Sequence, residues 1–150
     1  PDHIVSAIKR RILNASYVVG NIAWLTNREL LSTLRTRKGV SLIIQHDTRL
    51  LRKHRPDYIA LPPMDNQNVA VRTIKSGTRA LAHHKFAVFL DADRKVQGCL
   101  TGSFNWTQQS VHNIEHILAF DGATTLGERF LREHMDTRKV SKAVRKIKPK

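Results

Sequence analysis

His83-His84-Lys85-Phe86-Ala87-Val88-Phe89-Leu90, then Asp91-Ala92-Asp93-Arg94-Lys95, then Val96-Gln97-Gly98-Cys99-Leu100-Thr101: this stretch decides the fold. Two apolar runs enclose five residues rich in Asp and basic side chains, the pattern of strands over 81–90 and 96–101 joined by a tight turn. Working outward, 69–75 and 114–120 read as further strands, and 17–24 and 40–45 as earlier, buried ones. Helical signals separate the early strands. Asp2 can cap a helix carrying Ile4, Val5, Ile8, Ile12 and Leu13 at helical spacing. Thr26-Asn27-Arg28-Glu29 has the form of a capping box, and Leu30, Leu31 and Leu34 continue a second helix that Gly39 can end. The first half of 47–68 reads as helical, whereas Leu61-Pro62-Pro63-Met64-Asp65-Asn66 reads as a loop. Thr125-Leu126-Gly127-Glu128 opens a last helix with Phe130 and Leu131. Strands alternating with helices, followed by a hairpin-rich half, predict an α/β domain: a mixed sheet flanked by helices on both faces.

The 150 residues suffice for one domain with a core of its own. Lys+Arg number 26 against 12 Asp+Glu, a formal net charge of +14. Such an excess suits a polyanionic partner, because cations that neutralise phosphates release condensed counterions. Seven of the cations fall in 138–150, which contains no acid. We therefore divide the chain into a domain over 1–137 and a basic C-terminal tail over 138–150 that strengthens nucleic-acid binding. The single Cys99 has no internal disulfide partner, and no Cys/His cluster has zinc-ligand spacing. No apolar run approaches the ~18 residues that would span a bilayer, so no stable membrane association is expected and the expected location is the cytoplasm. The sequence begins at Pro1 rather than Met, which leaves a targeting segment outside it open.

The chemistry centres on His83-x-Lys85. Along a strand these two side chains share a face and His84 takes the other. An imidazole beside a fixed ammonium suits attack at phosphorus, since the cation neutralises phosphate oxygens while the ring supplies the nucleophile. After the hairpin, Gly102-Ser103-Phe104-Asn105 offers a hydroxyl and an amide N–H to the same phosphate. Asn113-Ile114-Glu115 follows, and a carboxylate there can accept the Nδ1–H of His83 and leave Nε2 free. His84, His112 and His116 read as packed or surface histidines. Trp106 reads as packing beneath the Asn105 loop, and Arg52, Lys53 and Arg55 equally as a solvated helix face or a phosphate track.

His83-x-Lys85 followed by an Asp, then Gly102-Ser103-x-Asn105, then Asn113-x-Glu115, resembles the signature of the phospholipase D superfamily. Phe86-Ala87-Val88-Phe89 and Leu100-Thr101-Gly102-Ser103-Phe104-Asn105-Trp106-Thr107 are similar to its bacterial, single-motif nucleases. The resemblance covers nearly the whole chain. It implies that His83 attacks a phosphodiester to give a phosphohistidine that water cleaves, with neither cofactor nor metal. Lys85 and Asn105 would bind the phosphate with help from Ser103, Glu115 would orient His83, and Gly102 and an Asp would support the site. A single copy of the motif implies a homodimer that forms one site. The spacing departs from the family at one point: five residues rather than four separate Lys85 from Asp91, so Asp91, Asp93 or neither fills the supporting role. An added residue flips the face of a strand side chain unless a bulge absorbs it.

The leading reading is a metal-independent phosphodiesterase acting on DNA or RNA. A phospholipid hydrolase or transferase of the same superfamily is an alternative, although no amphipathic anchor is evident. A nucleic-acid-binding module without turnover is another, against which stand the intact His83, Lys85, Asn105 and Glu115.

Overall fold

The computed structural model describes residues 2–65, 69–75, 85–103, 105–107 and 116–145. In chain order the elements are α1 (Asp2–Asn14), β1 (Tyr17–Ile22), α2 (Arg28–Arg35), β2 (Gly39–Gln45), α3 (Thr48–Ile59), β3 (Val71–Ile74), β4 (Lys85–Leu90), β5 (Val96–Gly102), β6 (Ile117–Asp121), α4 (Thr125–Lys139) and β7 (Lys142–Ala143). The strands form one seven-stranded sheet in the order β6-β5-β4-β1-β2-β3-β7. β1, β2 and β3 are parallel, while β4, β5, β6 and β7 each join their neighbours antiparallel. The sheet is therefore mixed, as the sequence predicts, with helices on both of its faces.

Alternation along each strand sends side chains into two cores. One contains Val5, Ile8 and Ile12 of α1, Leu30 and Leu34 of α2, and Leu51 and Tyr58 of α3, packed against Val18, Ile22, Leu42, Ile44, Ala87 and Phe89. The other holds Val19, Phe86, Val88 and Cys99 beneath Leu126, Phe130 and Leu131 of α4. Phe86 and Phe130 stack at 4.5 Å between ring centres. Covered on both sides, β2 is buried along its whole length, which explains the apolar run Leu42-Ile43-Ile44 at its centre.

Two local readings need correction, those of the α2 cap and of the C-terminal segment, while the helix read in the first half of 47–68 is present. The cap of α2 is Asn27 rather than Thr26, and its side chain accepts from Leu30 N at 3.0 Å. The helix over the first part of 47–68 continues through Pro56 to Ile59, and Tyr58 donates from its hydroxyl to Leu25 O at 2.6 Å. The segment expected to be a tail is partly built into the fold. Arg138 and Lys139 end α4, β7 pairs with β3, and Val144 is buried. An apolar side chain amid cations gave this segment an anchor that net charge concealed. Residues 146–150 of that tail lie outside the described residues.

Beneath α4 lies a polar cluster drawn from three elements, β1, β2 and α4 itself. His134 Nδ1 donates to Asn21 Oδ1 at 2.8 Å, its Nε2 accepts from Ser41 Oγ at 2.8 Å, and Asn21 Nδ2 donates to Thr137 Oγ1 at 3.4 Å. All four residues are buried. Burial, with the Arg138 charge close by, holds the His134 imidazole down at about 3. The unfolded chain, with an ordinary value of 6.5, therefore binds that proton more readily. The sign follows: this contribution to stability is complete above pH ~6.5. It falls by up to about 1.4 kcal/mol per pH unit as the pH drops towards the folded value. Urea midpoints between pH 7 and pH 4 check it. His134→Gln should be less stable at pH 7 yet lose less on acidification, and an unaltered slope would assign the loss to other groups.

Candidate active site

Parallel β1, β2 and β3 all end at one side of the sheet, and antiparallel β4 begins there. Lys85, the first residue of β4, pairs with Ile22, the last of β1. Phe86 pairs with Thr101, so Lys85 lies opposite Gly102, where β5 ends. Side chains alternate, and because Ala87 and Phe89 enter the core under α1–α3, Lys85 starts on that face. In open α/β sheets this carboxyl side is where ligands bind.

Asn105 is brought to the same place by backbone contacts. Trp106 N donates to Trp24 O at 3.0 Å, while Thr26 N and Asn27 N both donate to Trp106 O, at 2.7 and 2.9 Å. Trp106 itself is buried at 1% exposure in the core below, the packing role expected from the sequence. The connection between β1 and α2 thus clamps the Asn105 loop over the end of β1. Among the described residues the buried Oδ1 of Asn105 has no hydrogen-bond partner. A buried acceptor left unpaired costs about 1–3 kcal/mol, so a donor brought close to it is held there.

Ser103 lies at the junction of β5 and β6. Its N–H donates to His116 O at 3.1 Å, and its Oγ accepts from His116 N at 3.1 Å and lies 3.3 Å from His116 Nδ1. Its hydroxyl therefore fastens two strands as well as facing the site end of the sheet. His116, read from the sequence as a surface histidine, is exposed but is bonded to a candidate site residue. No feature of the sequence marks that contact, because it depends on the β5–β6 register. Gly102 is required at its position by space: a Cβ there would lie 2.2 Å from His116 O and 2.8 Å from Ile117 Cα. We expect Gly102→Ala to force β5 and β6 apart, costing about 1–3 kcal/mol and displacing Ser103. Chemical denaturation together with an activity assay checks this, and wild-type behaviour in both would show that the strands yield without consequence.

The two candidates for the supporting Asp both lie in the turn at the other end of β4. Asp91 organises that turn: its Oδ1 accepts from Asp93 N at 2.8 Å and from Lys95 N at 3.0 Å. Asp93 is exposed. The pairing shifts between Phe89 and Leu90, which face Gly98 and Val96, so the extra residue is Gln97 on β5 rather than a residue of β4. The structure thus brings Lys85, Gly102, Ser103 and Asn105 to one end of the sheet and leaves Asp91 at the far end of the strand. His83 and Glu115 lie outside the described residues, as do His84, His112 and Asn113. Among the described residues no three His, Cys, Asp or Glu side chains gather as a metal site would require, and no helix is long and apolar enough to cross a membrane.

No family model matches the sequence. Solved structures do match its fold. NucT from Helicobacter pylori superposes with a TM-score of 0.66 at 14% identity, over 95% of this chain and 91% of that one. Nuc from Salmonella typhimurium, a phospholipase D family member, also gives 0.66, at 20% identity over 92% and 88%. Polyphosphate kinase from Porphyromonas gingivalis gives 0.54 at 17% identity, over 91% of this chain but 22% of the kinase. The chain has the phospholipase D-like fold. In sequence, it is 26% identical to the uncharacterized protein L381 of Acanthamoeba polyphaga mimivirus over 84% of its length, and spans 58% of that relative.

Proposed function

We propose that this chain is a phosphodiesterase that cleaves nucleic acid through a phosphohistidine intermediate, without a metal, at a site formed by two copies. The observation that carries the reading is the convergence of Lys85, Ser103 and Asn105 at the carboxyl end of the sheet, in a fold shared with Nuc and NucT. The net charge of +14 favours nucleic acid as the source of the phosphodiester. In the first step His83 Nε2 attacks phosphorus, a P–N bond forms, and the P–O bond to the departing alcohol breaks. The alcohol oxygen takes its proton from the second copy's imidazole. Lys85 and the Asn105 amide N–H neutralise the phosphoryl oxygens as charge builds on them. In the second step water attacks phosphorus and gives up its proton to that same imidazole, and the P–N bond breaks to return His83. Glu115 holds the tautomer that keeps Nε2 available.

An imidazole nucleophile needs no metal to generate it. Cleavage of plasmid DNA or RNA is therefore expected to persist in excess EDTA, with a rate within about twofold of the untreated protein. Complete loss in EDTA, restored by magnesium, would overturn the mechanism. Quenching in alkaline denaturant during turnover of a phosphate-labelled oligonucleotide should leave label on the protein that is stable to base and released by acid, the behaviour of a phosphoramidate.

A further inference from the structure

The carboxyl side of the sheet extends well beyond the reacting phosphate. Lys85 is level with Ile22. One residue on, Ala23 O accepts from Gln45 N at 2.9 Å, and Ile74 O accepts from His46 N at 2.7 Å. These contacts align the start of β4 with the ends of β1, β2 and β3. Each of those three ends carries an exposed cation just beyond it: Arg28 at the first position of α2, Arg49 at the second position of α3, and Lys75 immediately after β3. Among the described residues none of the three has a side-chain hydrogen bond or an ion pair.

The opposite side of the sheet is different. There the acids Asp65 and Asp121 pair with Arg94 and Arg11, and Asp91 and Asp93 occupy the β4–β5 turn. On the carboxyl side Asp47 is already used, accepting from Arg49 N and Leu50 N, and Glu29 is paired with Lys9. Unpaired cations occur on both sides, Arg35, Lys38 and Lys95 among them, but on the carboxyl side they follow the ends of β1, β2 and β3 in turn, starting beside Lys85. Trp24 adds a partly exposed aromatic ring beside the Asn105 loop, at the β1 end of that rim.

We propose that one strand of the nucleic acid leaves the reacting phosphate across the ends of β1, β2 and β3. Arg28, Arg49 and Lys75 meet its phosphates in turn, and Trp24 lies against a base. The proposal rests on the nucleic-acid reading above and gives it a direction: away from β5 and β6, towards β3. Strand spacing of about 4.8 Å makes the run from β4 to β3 ~14 Å long. That accommodates about four nucleotides at a stacked rise of ~3.4 Å. Base–aromatic stacking tolerates any sequence, so this track contributes affinity and register without selecting bases.

The test compares two triple variants of equal charge, each carrying His83→Ala to stop turnover: Arg28→Gln/Arg49→Gln/Lys75→Gln on the rim, and Arg35→Gln/Lys38→Gln/Lys95→Gln on exposed cations of the opposite side. Binding of a fluorescein-labelled single-stranded oligonucleotide is titrated across a range of salt. The rim variant should bind at least about tenfold more weakly than the opposite-side variant at ~0.1 M salt. Its plot of log K against log salt should be shallower by about 2, the loss of three single-strand phosphate contacts. In the His83→Ala parent the oligonucleotide should also quench tryptophan fluorescence, which reports Trp24 because Trp106 is buried and there is no third tryptophan. Equal weakening by the two variants, or absent quenching, would overturn the track. Hydrolysis of a small chromogenic phosphodiester by the wild-type chain is measured separately. Its absence would count against the phosphodiesterase reading, while the binding comparison still decides the track.

Discussion

His83→Ala protein is expected to lose turnover by on the order of 10³-fold or more, while still binding an oligonucleotide with an affinity close to that of the wild type. The two halves of this expectation have different origins. Removing a nucleophile removes the covalent route altogether, and the remaining rate is what positioning and charge stabilisation supply alone. Affinity, in contrast, comes from phosphate contacts spread over a surface with a net charge of +14, of which a neutral imidazole is a minor part. Lys85→Ala should behave differently and damage both quantities, because an ammonium at the start of β4 meets the phosphate before and during the reaction. His84→Ala should be mild, since alternation along a strand directs it away from Lys85. Single-turnover rates and equilibrium binding on the three variants separate these cases. An inactive His84→Ala beside an active His83→Ala would reverse the strand-face assignment.

Activity in mixtures of wild-type and His83→Ala chains is expected to fall as the square of the wild-type fraction. Attack requires a neutral imidazole, yet the departing alkoxide requires a proton from an acid close by, and one ring cannot hold both states at once. These 150 residues hold one copy of the motif, and in the function proposed above the second ring comes from a symmetry-related chain. Two imidazoles facing one phosphate favour a single shared proton, because like-charge repulsion opposes protonating both. A bell-shaped pH–rate profile follows, with both limbs belonging to the pair. Co-refolding at graded ratios is the direct measurement: every mixed pair lacks one histidine and is inactive. A linear decline, or an active monomer in sedimentation, would rule out the shared site.

The order and type of the elements were legible in the sequence because each core strand carries its own apolar pattern. The α/β class then followed from alternation of strands and helices. What the sequence left hidden depends on contacts between distant segments. The His134–Asn21–Ser41–Thr137 cluster is an example: its members look like ordinary polar residues until α4 crosses β1 and β2. β7 escaped notice because seven cations outweighed a single buried Val144. The motif names Lys85, Gly102, Ser103 and Asn105, and their common position at one end of the sheet follows from the β4–β5 pairing and the Trp106 contacts. The clamp from Trp24 to Asn27 was not legible, since it consists of peptide groups and imposes no particular side chains. His116 was missed for a related reason: its partner is fixed by strand register, which a sequence does not display.

The two borders of the sheet are unequal. On one, β7 offers only two residues, one of them Lys142, and so closes β3 against further strands. On the other, β6 presents five residues with Leu118 and Phe120 exposed at 56% and 39%. Endless growth of a fibre by strand addition needs a free border at each end of every unit, so that each newcomer exposes another place to add. With one border stoppered, any two chains that met through β6 would use up the open one on both, and growth would halt at a closed pair. The short basic strand at the far side of the molecule therefore offers little border for a further strand to join.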